Sequence, residues 1–200
     1  MTSKATLHRC PWCPVNDELY CAYHDTEWGV PERDGQALFA KLILDGAQAG
    51  LSWRTILYKR ERYYEVFEGF DPQRLAKWTD AQVAAALLDP GIVRNRLKVN
   101  AVVKNSKALL QHFDGGDMSA FSKYLWSFVG GKPLQAERAL LESGEFVART
   151  AESDAMSKAL QKMGFTFVGS TICYAFMQAV GMVNDHSADC FRRKEVAKMA

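Results

Sequence analysis

Apolar residues recur along this chain mostly at spacings of three and four, and the residues that precede them suit helix starts. Asp34 can cap a helix that runs through Leu38, Leu42 and Ala49, and Ser52 can cap a second through Ile56, Tyr63 and Phe67. Pro72 suits a first helical turn. Thr79 with Gln82 forms a capping box ahead of Val83 and Leu87. A further helix, with Val99, Val102, Val103 and Leu110 on one side, runs to the break at Gly115-Gly116. Strand-like alternation is nearly absent. Later helices are expected over Ser119–Phe128 and Ser153–Lys162, with a loop over Ser143–Thr150.

Met163 to Asn184 carries no formal charge, which raises the question of a membrane span. Gly164, Thr166, Gly169, Ser170, Thr171, Gln178 and Gly181 interrupt it, so a short buried segment and then a buried helix over about Thr171–Val180 is the better reading. No membrane role is expected. After Cys190, Arg192-Arg193-Lys194 begins a solvated basic helix or a frayed end. Two hundred residues at 48% hydrophobic content suffice for a real core. The expected fold class is all-α: a compact helical bundle forming a single unit over 1–200. It divides into two packed halves, a central one of about 34–130 and an end one of about 8–33 with 131–191. No repeat or low-complexity linker is visible.

A net charge of +2 says little about partners, but its distribution says more. Between Pro90 and Phe113 stand Arg94, Arg96, Lys98, Lys104 and Lys107 with no acid. The segment Leu88–Val103 reads as helix, break at Asp89-Pro90-Gly91, then a basic helix, which is a helix-hairpin-helix outline. A tight glycine turn exposes backbone N–H groups, and the following helix points its positive end the same way, so such a hairpin can grip a phosphate backbone. An ordinary solvated helix face is the bland alternative.

No secretory or transit segment shows in the first 25 residues, so a cytosolic location is expected. There, five cysteines argue for free thiols or metal ligands over disulfides. Cys10 and Cys13 frame a C-x-x-C, His24 follows, and His186 and Cys190 sit four apart, a spacing that puts both side chains on one helical face. Two thiolates and two imidazoles make a closed, tetrahedral structural zinc site that would tether the two chain ends. The alternative is a redox pair at Cys10 and Cys13; such a motif should follow a buried strand, and no strand pattern precedes it.

Asp45 lies on the apolar stripe Leu38, Leu42, Asp45, Ala49. A buried acid can pair with a base, sit at a solvated rim, or wait for a ligand that donates hydrogen bonds. Trp12, Tyr20, Tyr23 and Trp53 can supply π-rich walls around such a carboxylate, or simply fill a core.

Four stretches carry a resemblance: Tyr23-His24-Asp25-Thr26-Glu27-Trp28-Gly29-Val30-Pro31, Gln48-Ala49-Gly50-Leu51-Ser52-Trp53, Phe165-Thr166-Phe167-Val168-Gly169-Ser170-Thr171-Ile172-Cys173-Tyr174, and Val183-Asn184-Asp185-His186. Together, over about Cys10 to Cys190, they closely resemble the 3-methyladenine DNA glycosylase I family. The resemblance implies the helix-hairpin-helix glycosylase fold with one structural zinc held by Cys10, His24, His186 and Cys190, leaving Cys13 as a spare thiol. It also implies a base pocket of Trp12, Tyr20, Tyr23 and Trp53 with Gln48 nearby, a Gly50-Leu51 segment that meets the DNA, and a backbone grip at the hairpin of Gly91, Arg94, Arg96 and Lys98. One departure matters. The family's pocket acid is commonly a glutamate, and this chain has the shorter Asp45.

The activity so implied is base excision from double-stranded DNA containing alkylated purines, with free 3-methyladenine as product and 3-methylguanine as a further candidate. Adenine methylated at N3 is already cationic in the nucleoside, so selection by fit outweighs leaving-group activation. Extrusion costs roughly a few kcal/mol, which stacking and edge contacts to the damaged base must recover. The hairpin offers no obvious Schiff-base lysine, Lys98 being the nearest candidate, so the expectation is a monofunctional hydrolase without strand cleavage; a monomer is expected as well. The competing classes are a non-catalytic zinc-stabilised DNA-binding module, which leaves the acid and rings unused, and a thiol oxidoreductase.

Overall fold

A computed structural model describes residues 7–136 and 147–199. Among them the chain is mostly helical: α1 Glu18–Thr26, α2 Gly35–Gln48, α3 Trp53–Leu57, α4 Arg60–Val66, α5 Pro72–Leu75, α6 Asp80–Ala86, α7 Arg96–His112, α8 Met118–Ser127, α9 Ala151–Lys162, α10 Ser170–Ala179 and α11 Phe191–Ala197. Two two-residue strands, β1 Leu134–Gln135 and β2 Val183–Asn184, pair in parallel. No described helix is long and apolar enough to cross a membrane.

The caps explain most boundaries. Asp34 accepts from the Ala37 amide at the start of α2, and Ser52 from the Thr55 amide at the start of α3. Pro72 opens α5, and Thr79 and Gln82 close the expected capping box at α6. Asn95 accepts from the Leu97 and Lys98 amides at α7. Each satisfies backbone donors that a helix start leaves orphaned.

Three expectations need correction or completion. The helix expected from Ser52 through Phe67 breaks at Tyr58–Lys59, where the ladder closes with Lys59 N–H on Ile56 O (3.0 Å) and the Lys59 ammonium donates to the Pro90 carbonyl (2.7 Å). That tether comes from a distant segment, so no local pattern reveals it. The tail is an ordered helix, not a frayed end: Arg192 and Val196 are buried, and Arg193 donates to the carbonyls of His186 (2.6 Å) and Ala136 (2.8 Å). Of the loop expected over Ser143–Thr150, residues 147–150 carry no regular structure and the remainder lies outside the described residues.

Two compact units emerge. The first comprises the described parts of Met1–Pro31, Lys132–Val147 and Met177–Ala200, and the second Glu32–Gly131 with Ala148–Phe176. The first holds α1, the β1–β2 pair and α11. At the centre of the second is α2, buried on nearly every side through Leu38, Phe39, Ala40, Leu42, Ile43 and Leu44. Helices apolar all round belong in a core, and this one therefore presents Asp45 to a dry interior.

Candidate functional site

In the first unit, Cys10, His24, His186 and Cys190 converge, and all four are buried. Their ligand atoms lie within 4.8 Å of one another. Three sulfur–nitrogen edges are 3.5 Å long: Cys10 Sγ to His186 Nδ1, Cys190 Sγ to His24 Nε2, and Cys190 Sγ to His186 Nδ1. A tetrahedral centre with metal–sulfur bonds of about 2.3 Å and metal–nitrogen bonds of about 2.0–2.1 Å has sulfur–nitrogen edges of about 3.5 Å, so these three edges have the length a metal ion at the centre of the set requires.

The cluster's surroundings also suit a cation. The second nitrogen of each imidazole faces an acceptor: His24 Nδ1 meets Asp25 Oδ1 (2.8 Å), and His186 Nε2 meets the Trp28 carbonyl (3.0 Å). Such partners fix the tautomer and the ring orientation of a ligand histidine. Although burial works against its charge, Asp25 is held below the ordinary carboxylate range by Arg9, which donates to both oxygens, and by His24. The Ser187 amide points at Cys10 Sγ (3.3 Å), as it would toward a thiolate. Gly29 is required here. It sits at φ +83°, and a Cβ on it would lie 2.8 Å from His186 Nε2.

Two details depart from the sequence reading. His186 and Cys190 lie in a turn ahead of α11, with the Cys190 amide on the Ser187 carbonyl (2.9 Å), and not on one helical face. The turn brings donor atoms together that a helix would hold parallel. Cys13 turns away from the cluster to Cys21, sulfur to sulfur 3.8 Å, and burial pushes its thiol up to about 12. A thiol so reluctant to ionise is a poor redox nucleophile, which weakens the oxidoreductase alternative.

The same unit brings three of the expected rings together. Trp12 meets Tyr20 edge-on with centroids 5.8 Å apart, and Tyr20 meets Tyr23 at 6.4 Å. Trp12 is 40% exposed yet touches His24 (5.2 Å) and Trp28 (4.8 Å), so the Cys/His cluster anchors an otherwise open ring.

The second unit holds the acid. Asp45 is buried, and its Oδ2 has no hydrogen-bond partner. Its Oδ1 is ion-paired with Lys41, one turn earlier on α2. Burial raises the Asp45 carboxyl, against the pull of Lys41. The Lys41 ammonium also lies over the Trp53 ring, 4.1 Å from its centroid. Lys41 escaped the sequence reading, although its i,i+4 spacing from Asp45 was visible. Gly46, the next residue, lets the 165–170 segment come close: a Cβ there would sit 3.0 Å from the Phe167 carbonyl oxygen. Phe167 itself has φ +55°, an uncommon conformation for a bulky residue, and Asn105 holds the loop by accepting from the Thr166 amide (2.8 Å) and donating to its carbonyl (3.0 Å).

After α2 the chain turns sharply, with Leu51 N–H on Gln48 O (2.6 Å) and Gly50 at φ +75°. Gln48 is half-buried, and Leu51 is 42% exposed. At the hairpin, Arg94 and Arg96 are exposed, but Lys98, expected beside them, turns inward and donates to the carbonyls of Ala47 (2.7 Å) and Ala49 (2.6 Å). Burial lowers its pKa. The Gly91 amide, expected to face a phosphate, donates to Asp89 (2.7 Å) in this conformation, and a Cβ at Gly91 would meet Arg62 Cγ at 2.4 Å.

The chain belongs to the methyladenine glycosylase family, whose model matches residues 12–193. It is 48% identical over 182 residues to a DNA-3-methyladenine glycosylase of Haemophilus influenzae, covering 91% of this chain and 96% of that protein. Among solved structures, a 3-methyladenine DNA glycosylase I superposes with a TM-score of 0.85 at 48% identity, covering 92% of this chain and 98% of that one. A single-substitution variant of another, in complex with 3-methyladenine, superposes at 0.83 with 33% identity over 92% and 97% of the two chains. The fold is thus the helical one of these glycosylases.

Proposed function

We propose that this protein hydrolyses the N-glycosidic bond of 3-methyladenine in alkylated double-stranded DNA, with Asp45 reading the extruded base. The observation that carries this is the buried Asp45 Oδ2 without a partner. An unmatched carboxylate oxygen in a dry interior is costly, and it persists where a ligand supplies the missing donor. A related structure that holds 3-methyladenine supports that choice of ligand.

The physical logic is selection of a cation. A base methylated at N3 carries positive charge within the nucleoside, and a desolvated carboxylate with an indole face attracts it where a neutral adenine gains less. Asp45 accepts from the exocyclic amine and disfavours bases that present an acceptor there. Trp53, whose ring lies under the same ammonium that pairs with Asp45, and Gln48, one turn on along α2, are the further base-contacting residues within the second unit. Water is the nucleophile. The only hairpin lysine suspected of Schiff-base chemistry, Lys98, has its ammonium occupied by two carbonyls, so the enzyme is monofunctional and no borohydride-trappable adduct forms.

The 3.5 Å edges of the Cys10, His24, His186 and Cys190 set support zinc as its occupant, in a closed structural site. Zinc there would cross-link residues far apart in sequence and keep Trp12 in place. The segment from Leu88 to Val103 serves as a helix-hairpin-helix element gripping the DNA backbone through exposed Arg94 and Arg96, with Gly50 and Leu51 meeting the duplex from the α2–α3 turn. Lys98 acts indirectly, by holding the end of α2 from which that turn departs.

The test is incubation with methylated duplex DNA and chromatography of the released bases. Free 3-methyladenine is expected; absence of any released base from zinc-replete, folded protein would falsify the proposal. Including 3-methylguanine in the separation measures how far the shorter acid widens the range.

A further inference from the structure

We propose that Lys41 is an internal stand-in for the cationic ligand: its ammonium occupies the cage formed by Asp45 and Trp53, and a bound cation must displace it. This rests on the reading that the Asp45 cage receives the base, and it adds a residue that sets how tightly the cage holds positive charge.

The geometry is specific. One ammonium engages both features that would attract a cation, the Asp45 Oδ1 by an ion pair and the Trp53 face at 4.1 Å. Its side chain is only 16% exposed, so a group that is normally solvated has been drawn inward. Helix electrostatics do not explain this, because a base four residues ahead of an acid is the less favourable order for such a pair. The partner's burial does: Asp45 at the helix interior needs a positive neighbour, and Lys41 is one turn away.

The fit is nevertheless incomplete. A compact ammonium meets Oδ1 and leaves Oδ2 without a donor. A planar, delocalised cation bearing an amino group on its edge offers the second oxygen a donor and lays a ring against Trp53. Such a cation is also more weakly hydrated than an ammonium, while the released Lys41 regains its hydration in water. Exchange of Lys41 for a ring cation therefore improves the match on both sides, and Lys41 fills the cage only until a better cation arrives.

The probe is 3,9-dimethyladeninium, a methylated purine that is cationic at neutral pH, titrated calorimetrically into wild type, Lys41→Met and Lys41→Arg. The pH is raised until affinity stops changing, so that Asp45 is ionised throughout. Lys41→Met empties the cage and should bind about tenfold or more tighter than wild type. Lys41→Arg, whose guanidinium can grip both carboxylate oxygens and stack on the indole, should bind about tenfold more weakly. A merely structural lysine would not give opposite signs for the two variants. Weaker binding by folded Lys41→Met, or tighter binding by Lys41→Arg, overturns the proposal.

A second measurement needs no altered fold. The Lys41 Cε carbon resonance, assigned by its absence from Lys41→Arg, should lie under the Trp53 ring current in the free protein and move to a solvated value when the probe saturates. An unmoved resonance at saturation also overturns displacement. If wild type releases no base from methylated DNA and Lys41 still yields to the probe, the glycosylase reading fails and the cage stands. If base is released and the affinity order is reversed, only the stand-in role fails.

Discussion

The Cys/His cluster and the Asp45 cage are both buried, polar and built from few residues, yet they differ in how completely their atoms are satisfied. Around the cluster, each imidazole has a partner on its outer nitrogen, each sulfur meets a nitrogen at 3.5 Å, and Arg9 braces Asp25 from outside. At Asp45 one oxygen is paired and the other is not. The matched neighbours of the cluster suit a group that serves the fold, whereas the half-matched Asp45 has a bonding position left over for the base proposed to bind there.

The largest effect should fall on the closed site. His186→Ala or Cys190→Ser removes one donor from the four residues proposed to hold zinc and to couple distant parts of the chain, and loss of an ion bound there should cost several kcal/mol of stability. Metal content by emission spectroscopy together with a thermal melt reads this. A variant that keeps its melting temperature but has lost its metal would dissolve the contrast.

Asp45→Asn should behave the opposite way, reducing kcat/KM for base release about 10- to 100-fold while leaving metal content intact. Its stability should not fall at neutral pH. Burial raises the Asp45 carboxyl in the folded state, so the folded protein keeps that proton at pH values where the unfolded chain has released it. The stability Asp45 contributes is accordingly present below the ordinary carboxylate pKa and declines as pH rises toward the raised value; asparagine has no such proton, and the slope should flatten. Chemical denaturation of both proteins from pH 3.5 to 7 checks this, and an identical pH dependence would contradict it.

Smaller effects sharpen the picture at the edges. Lys98→Met removes two hydrogen bonds from the end of α2 and should cost about 1–2 kcal/mol in urea melts, with no new sensitivity of DNA binding to salt. Arg94→Ala and Arg96→Ala should leave stability unchanged and each lower the slope of log affinity against log salt by about 0.9. A Lys98 variant that lowered the salt slope as those do would return that lysine to the DNA surface.

Much of the helical frame is written locally. Asp34, Ser52, Thr79 and Pro72 mark helix starts because a cap satisfies amides only two or three residues away. The pattern does not mark α1 in this way, although Asp17 caps it by the same chemistry, since its apolar residues run consecutively from Leu19 to Tyr23 instead of recurring at spacings of three and four. The Lys59 tether that breaks α3 from α4 and the turn that shapes His186–Cys190 depend on partners elsewhere in the chain.

By itself, then, the sequence determined the residue types capable of the chemistry: two cysteines and two histidines with metal-ligand character, an acid on an apolar stripe, and rings enough to surround a base. Tertiary structure alone decided which of these meet. It gathered Cys10 with residues about 180 positions away and excluded Cys13. It turned Lys98 from the surface to the end of α2, and it placed Lys41 on Asp45 and Trp53. Periodicity reports which face of a helix is dry; the direction and depth of a side chain, and hence whether its charge is matched, depend on what folds against that face.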